Sequence, residues 1–188
     1  MPGRDSSTPS IAILGDSSQG GAYVLKIRLA KGAKVRFGRF QGGEPILLPA
    51  GDYVYVGSAL AAGNSRSLAR RLLRHGTRTG RKRSHGIRRA LYARLEAVGL
   101  IGAGGNRPGD KRLRWHIDYL LDQYAAEITG VAITRTRVSL EQRIARKLAQ
   151  DPNTEIVCKG LGASDDPGGT HLFRVGEGVW ERLVANMA

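Results

Sequence analysis

The chain has 188 residues, 41% of them apolar, and its 30 Lys and Arg against 16 Asp and Glu leave a net charge of +14. This length accommodates one domain, and the charge predicts a polyanionic partner, with nucleic acid ranked above anionic lipid. The single cysteine, Cys158, excludes an internal disulfide framework and argues against a cysteine-built zinc site. No membrane span or secretory signal is recognisable, so we expect a cytoplasmic protein without a membrane or an obligate protein partner.

The N-terminal third carries mainly strand signals. Residues 1–20 are mostly Gly, Ser, Pro and Asp apart from an apolar stretch at 11–14, so we expect a flexible tail there, with or without a short docking segment, and the ordered domain at 21–188. Alternating apolar residues predict strands at 23–29, 34–37 and 53–57, the last of them after a turn signal at 48–52. These strands are expected to form a small β-meander.

Helical spacing dominates after Asn64. Apolar residues predict helices from about residue 64, at 85–98 and at 112–124, with a glycine-rich loop at 99–109. A capping box with Ser139 as the N-cap predicts a helix at 140–149. Further predicted elements are strands at 130–133, 154–158 and 171–175 and a helix at 179–187. The expected fold is a single α/β domain of the α+β type, with a small, mainly antiparallel central sheet flanked by helices.

Residues 64–94 form a basic block. They include eleven Lys and Arg and no Asp or Glu. Neighbouring like charges on a helix repel each other, and phosphate groups would offset that repulsion. Arginine outnumbers lysine here, which favours bidentate phosphate contacts. The alternative is a basic surface that serves only solubility. The expected phosphate contacts within the block are Arg70, Arg74, Arg78, Arg81, Lys82, Arg83 and Arg88.

Several short motifs in one order resemble those of a nuclease superfamily. Gly-Ala-Tyr at 21–23, Tyr-Val-Gly at 55–57, an arginine one turn before His75 and a distant glutamate are similar to the GIY-YIG nucleases. A prokaryotic branch of that superfamily is more similar still. The segments that match its motifs are 53–59, 74–75, 115–120, 164–165 and 171–173.

The resemblance implies metal-dependent hydrolysis of phosphodiester bonds in nucleic acid, with DNA the first expectation. Glu141 would hold Mg²⁺ or Mn²⁺, and Arg71 would hold the non-bridging phosphate oxygens. Tyr23 would orient or deprotonate the attacking water, supported by Tyr55 and His75. Without the resemblance, the tyrosines would be ordinary strand residues and Glu141 an acid favoured by the helix dipole.

Other positions carry weaker expectations. Gly57 would let the backbone approach a phosphate, and Ser164 and Asp165 would contact a phosphate or a metal. The branch has cysteines where this chain has Gln142, Asp166 and Gly168, and Asp166 offers an oxygen ligand instead. The segment at 78–111 is longer than in that branch, and we expect it to add contacts with nucleic acid. His116 and Asp118 are two positions apart on a predicted helix, so they point in different directions and form no local dyad. Residues 115–118 have either a packing or capping role or a substrate role.

The alternative function is a non-catalytic module that binds DNA or structured RNA. Such a module would keep the fold and the basic face of the nuclease and would have lost the chemistry. It predicts that binding of nucleic acid survives the loss of Glu141 and that no metal-dependent product forms.

Overall fold

A computed structural model describes residues 10–60, 67–102, 111–162 and 169–187. Within these residues the chain forms eight strands, five α-helices and a short 3-10 turn at Phe40–Gly43. The strands are β1 (Ser10–Gly15), β2 (Gly21–Leu29), β3 (Ala33–Arg36), β4 (Pro45–Leu48), β5 (Gly51–Ala59), β6 (Ala126–Arg135), β7 (Thr154–Ile156) and β8 (Leu172–Val175). The α-helices are α1 (Leu68–His75), α2 (Arg88–Ala97), α3 (His116–Leu121), α4 (Glu141–Gln150) and α5 (Val179–Ala185).

The central sheet has six strands in the order β1-β6-β2-β5-β8-β7. All of its pairings are antiparallel except that of β1 with β6. Strands β3 and β4 form a separate antiparallel hairpin. The predicted α+β fold with a mainly antiparallel sheet and flanking helices is therefore confirmed.

Helices cover both faces of the sheet, so β2 is buried on both sides. Tyr23 and Leu25 belong to a core shared with α1, α2 and α3, whereas Ala22 and Val24 face a second core with α4 and α5. This alternation follows from the two-residue period of a strand. None of the helices in the described ranges is long and apolar enough to span a membrane.

Two predictions for the N-terminal third are wrong. The ordered domain was expected to begin at residue 21, but residues 10–15 of the predicted tail already form β1, which pairs in parallel with Gly130–Arg135 of β6. The predicted meander is also absent from the described residues, because β2 lies between β5 and β6 while β3 pairs with β4. Alternation along one strand shows which side chains are buried but does not identify the neighbouring strand. Residues 1–9 lie outside the described residues.

The other predicted elements occur with shifted ends. The helix expected at 112–124 is shortened to α3, because the Asp118 carboxylate accepts the backbone N–H groups of Arg114 and Trp115, each at 2.9 Å, and so fixes the first turn there. Ser139 does not cap α4; the N-cap residue is Leu140, which makes no side-chain cap bond. The strand expected at 130–133 extends over the whole of β6.

Candidate active site

The site lies where β2, β5, α1 and α4 meet. On β2, the hydroxyl oxygen of Tyr23 is 2.8 Å from Nε2 of His75, the last residue of α1. Tyr55 on β5 completes an aromatic group, with its ring centroid 6.4 Å from that of Tyr23 and 6.0 Å from that of His75. The three side chains pack against one another in the core, where Tyr23 is fully buried and Tyr55 is 8% exposed.

Gly57 gives Tyr23 the space for its ring. The two residues are directly paired across β2 and β5, and a Cβ atom on Gly57 would lie 2.5 Å from Cζ of Tyr23. Any side chain here would displace the phenol. The expectation that Gly57 brings backbone close to a phosphate is therefore corrected: its Cβ side is filled by Tyr23 and the residue is buried.

Arg71 on α1 is held by two contacts. Its Nη1 donates to the carbonyl oxygen of Ser58, and its guanidinium lies 4.8 Å from the centre of the Trp115 ring. Nε of Arg71 is buried and has no hydrogen-bond partner among the described residues. The guanidinium groups of Arg74 and Arg114 also face this indole, at 4.4 and 5.9 Å. Trp115 therefore contacts three guanidinium groups with its indole, which also lies 5.8 Å from the ring of His75.

Glu141 is the first residue of α4, where the helix dipole favours a carboxylate. It accepts a hydrogen bond from the Ser58 hydroxyl, and its Oε1 is 3.0 Å from Nδ1 of His171. Ser58 therefore links Arg71, through its carbonyl, to Glu141, through its hydroxyl. The side chain of Glu141 is 23% exposed, so the carboxylate is accessible from solvent.

Burial sets the protonation states of the site. It raises the pKa of Tyr23 well above its usual value, and that of Tyr55 also rises, chiefly through burial. Burial lowers the pKa of His75 to about 3, although the charge of Asp118 acts in the opposite direction. Burial also opposes ionisation of Glu141, but His171, Ser58 and Arg71 outweigh it and hold the pKa of that carboxyl below its usual value. At neutral pH the phenols are protonated, His75 is neutral and Glu141 is ionised.

Asp118 lies behind this group as a fully buried carboxylate. Both of its oxygens accept a hydrogen bond from Nη1 of Arg74, at 2.7 and 2.8 Å, and its Oδ1 is 3.4 Å from Nζ of Lys111. Its Oδ1 is also 3.9 Å from Nδ1 of His75. Burial opposes ionisation of Asp118, but these cations and the Trp115 N–H lower its pKa below the usual value. Asp118 remains a buried anion next to His75.

Residues 115–118 pack and cap, and His116 and Asp118 do point in different directions. Nδ1 of His116 accepts a hydrogen bond from the backbone N–H of Gly162 at 3.1 Å, while its ring packs against Phe40. Asp118 instead faces Arg74 and the start of α3. The prediction that these two residues form no local dyad is confirmed.

The structure divides the predicted phosphate contacts into two groups. Arg78 is 6% exposed and donates into the protein interior, which contradicts the prediction that it contacts a phosphate. Arg74 and Lys82 are paired with Asp118 and Asp122, and Arg88 donates to Thr77. The exposed members of the set are Arg70, Arg81 and Arg83. Ser164, Asp165, Asp166 and Gly168 lie outside the described residues.

The five residues predicted to be catalytic are brought together, and three further residues join them. Ser58, Trp115 and His171 each lie within a segment that resembles the nuclease branch. Ser58 and His171 were given no role in the site, and for Trp115 a substrate role was only one of two alternatives. Their position in those motifs was the available signal. Their roles depend on contacts between residues far apart in the chain: 83 positions separate Ser58 from Glu141.

The donors present fit a divalent cation held by one carboxylate. Among the described ranges there is no group of three or more carboxylate, imidazole or thiolate side chains suited to a metal. Glu141 is ionised, partly exposed and supported by the Ser58 hydroxyl. Magnesium commonly binds through one or two carboxylates, with waters and substrate phosphate as its other ligands, and Glu141 meets that requirement.

Comparison with known proteins gives one match. Residues 22–187 match the model of a family described as "Domain of unknown function DUF123". No curated protein and no solved structure matches the chain.

Proposed function

This chain belongs to the DUF123 family, and we propose that it is a metal-dependent endonuclease that hydrolyses phosphodiester bonds of nucleic acid, with DNA the expected substrate. The observation that carries the proposal is the convergence of two tyrosines, a histidine, an arginine and a glutamate from β2, β5, α1 and α4. The same five residues carry the resemblance to the GIY-YIG nucleases. A purely structural core has no need of a partly exposed, ionised glutamate beside an arginine.

Arg71 and Glu141 form the part of the site that meets the phosphate. Arg71 binds the non-bridging oxygens with guanidinium donors that are not used by Ser58. Glu141 holds Mg²⁺ or Mn²⁺, and such a cation, when bound, neutralises charge on the phosphate and on the leaving oxygen. Ser58 fixes the position of the arginine relative to the glutamate, because it forms a hydrogen bond with each of them.

Tyr23, His75 and Asp118 provide a route for a proton. Tyr23 cannot act as a phenolate base at neutral pH, because burial raises its pKa. Instead, the attacking water gives its proton to the Tyr23 oxygen while the Tyr23 proton passes to Nε2 of the neutral His75. The Asp118 carboxylate favours the imidazolium, although burial outweighs that effect while the site is closed. This relay requires substrate binding to open the buried Tyr23 hydroxyl to that water.

The test compares the wild-type chain with Glu141→Gln, which keeps the shape of the side chain and removes its charge. Labelled single-stranded, duplex and branched DNA and a structured RNA are incubated with each protein in Mg²⁺, Mn²⁺ or EDTA. Glu155→Gln is the matched control, because Glu155 is an exposed glutamate whose contact is with Arg174. We expect metal-dependent products from the wild type and the control, and a loss of at least about 100-fold in rate for Glu141→Gln.

Binding of the same substrates is measured in parallel. If Glu141→Gln binds the substrates about as tightly as the wild type but forms no products, the substitution affects cleavage and not binding, which supports the proposal. Tight, salt-sensitive binding by all three proteins with no product under any condition overturns it in favour of a non-catalytic DNA- or RNA-binding module. Equal cleavage by wild type and Glu141→Gln overturns the assignment of the metal ligand.

A further inference from the structure

His171 places a second metal-binding atom beside Glu141. The residue is 5% exposed, and its Nδ1 is 3.0 Å from Oε1 of Glu141. Although Nδ1 is at hydrogen-bond distance from this carboxylate, it makes no well-aligned hydrogen bond with any described residue. A buried polar atom without a partner is costly, and such an atom facing a carboxylate points to a ligand that both groups share.

The backbone around His171 is fixed before any ligand binds. Its N–H donates to the carbonyl oxygen of Leu161 at 3.0 Å, and its carbonyl oxygen accepts from Val56 of β5 at 2.9 Å. A Cβ atom on Gly162 would lie 3.2 Å from Cβ of His171, so the adjacent chain is closely packed against it. Ligands held in place by their surroundings bind a metal without a further ordering cost.

We propose that His171 is a second protein ligand of the cation held by Glu141, and that this donor pair makes the site prefer Mn²⁺ and later first-row ions to Mg²⁺. The inference rests on the metal site of the proposed function. Two donors on adjacent vertices of an octahedral ion, with bonds of about 2.1 Å, stand about 3 Å apart. The separation of Nδ1 and Oε1 is 3.0 Å.

The chemistry of the pair explains the expected preference. Magnesium favours oxygen ligands and retains its waters, whereas an imidazole nitrogen suits transition metals. The hydroxyl of Ser58 contacts the same carboxylate and adds an oxygen donor nearby. Substrate phosphate and waters would complete the coordination, as they do at sites with few protein ligands.

The experiment measures Mn²⁺ binding by the full chain in the absence of nucleic acid. Loss of the free Mn²⁺ signal in electron paramagnetic resonance gives the affinity, and pulsed measurements detect a nitrogen bound directly to the ion. Mg²⁺ affinity is obtained by competition. The variants are His171→Gln, Glu141→Gln and, as matched control, His116→Gln, since Nδ1 of His116 already accepts the N–H of Gly162.

We expect the wild type to bind Mn²⁺ more tightly than Mg²⁺ and to show nitrogen coupling. His171→Gln should lose that coupling and weaken Mn²⁺ binding by at least about tenfold, with a smaller effect on Mg²⁺. His116→Gln should retain the coupling, and Glu141→Gln should weaken both ions. Thermal unfolding of each apoprotein establishes that the variants are folded.

Two results overturn the proposal: absence of nitrogen coupling in the wild type, or coupling that persists in His171→Gln. Neither depends on cleavage. A wild type that binds Mn²⁺ through nitrogen but makes no product refutes the nuclease proposal and leaves the ligand assignment intact. A wild type that cleaves DNA with no nitrogen on its metal refutes the assignment of His171 and leaves the nuclease proposal intact.

Discussion

Replacing Arg78 should destabilise the protein rather than weaken its contact with nucleic acid. Its Nε donates to the carbonyl oxygen of Leu121 at 3.2 Å and its Nη1 to that of Arg83 at 2.7 Å. Its Nη2 donates to the carbonyl oxygen of Ala126 and lies 3.0 Å from Oε2 of Glu127. The guanidinium therefore joins the loop after α1 to α3 and to the start of β6, with its fork of donors directed at protein atoms.

The magnitude follows from the groups that would be left behind. Arg78→Ala leaves three carbonyl oxygens without the Arg78 donors, at about 1–3 kcal/mol for each one that is buried. It also removes the buried partner of an ion pair, but the Glu127 side chain is 43% exposed, so loss of that pair adds little. Because these effects overlap, we expect a loss of about 3–5 kcal/mol in the free energy of unfolding. Arg78→Lys keeps the charge but not the planar fork, so it should lose an intermediate amount.

Urea denaturation followed by tryptophan fluorescence measures these changes. Arg83→Ala is the control, because the Arg83 side chain is exposed and only its backbone oxygen serves Arg78; it should stay within about 0.5 kcal/mol of the wild type. The reasoning fails if Arg78→Ala is as stable as Arg83→Ala. It also fails if the principal effect of Arg78→Ala is weaker, less salt-dependent binding of DNA.

Three further predictions concern the site. Gly57→Ala should displace the Tyr23 ring and lower the free energy of unfolding by about 1–3 kcal/mol; equal stability in urea would contradict the close approach. Because the pKa of His75 is lowered to about 3 in the native state, this imidazole binds a proton only in the unfolded chain between about pH 6.5 and 3. The free energy of unfolding should therefore decrease as the pH is lowered, by up to about 1.4 kcal/mol per pH unit. His75→Gln should show a shallower fall in urea titrations between pH 7 and 5, and an identical slope would refute this. Trp115→Leu should lower kcat by about tenfold or more by releasing Arg71, and Trp115→Phe should restore part of it in the cleavage assay; no difference between Leu and Phe would refute the stacking role.

The local pattern of the sequence identified most elements but not their partners. Tyr23 and Tyr55 lie in stretches whose alternation shows buried strands, so β2 and β5 were predictable. The parallel pairing of β1 with β6 places Ser10 opposite Gly130, and the sequence of neither segment indicates which strand it pairs with. The short strand β4 was missed because Pro45–Leu48 lacks an alternating pattern.

The same limit applies to the site. Tyr23, Arg71, His75 and Glu141 were found through motifs, whereas the contact between Glu141 and His171 depends on the sheet order that places β8 beside β5. Burial also cannot be inferred from residue type: Arg78 and Arg83 look alike in the sequence, yet one is a buried structural residue and the other is exposed.

The acids that balance the basic block come from a later part of the chain. Asp118, Asp122 and Glu127 pair with Arg74, Lys82 and Arg78, respectively. Repulsion within residues 64–94 is therefore offset partly by these acids. Fewer cations of the block are free to contact phosphate than the sequence alone predicts.

The salt dependence of DNA binding measures how many cations of the basic block contact phosphate. Each phosphate contact adds about −0.9 to the slope of log K against log salt on duplex DNA, and the exposed members of the predicted set of contacts are Arg70, Arg81 and Arg83. Replacing all three with alanine should reduce the slope by up to about 3 without destabilising the fold. An unchanged slope would show that these three arginines do not contact the DNA and would leave the phosphate contacts to other cations, such as the exposed Arg89 and Arg94 of the same block.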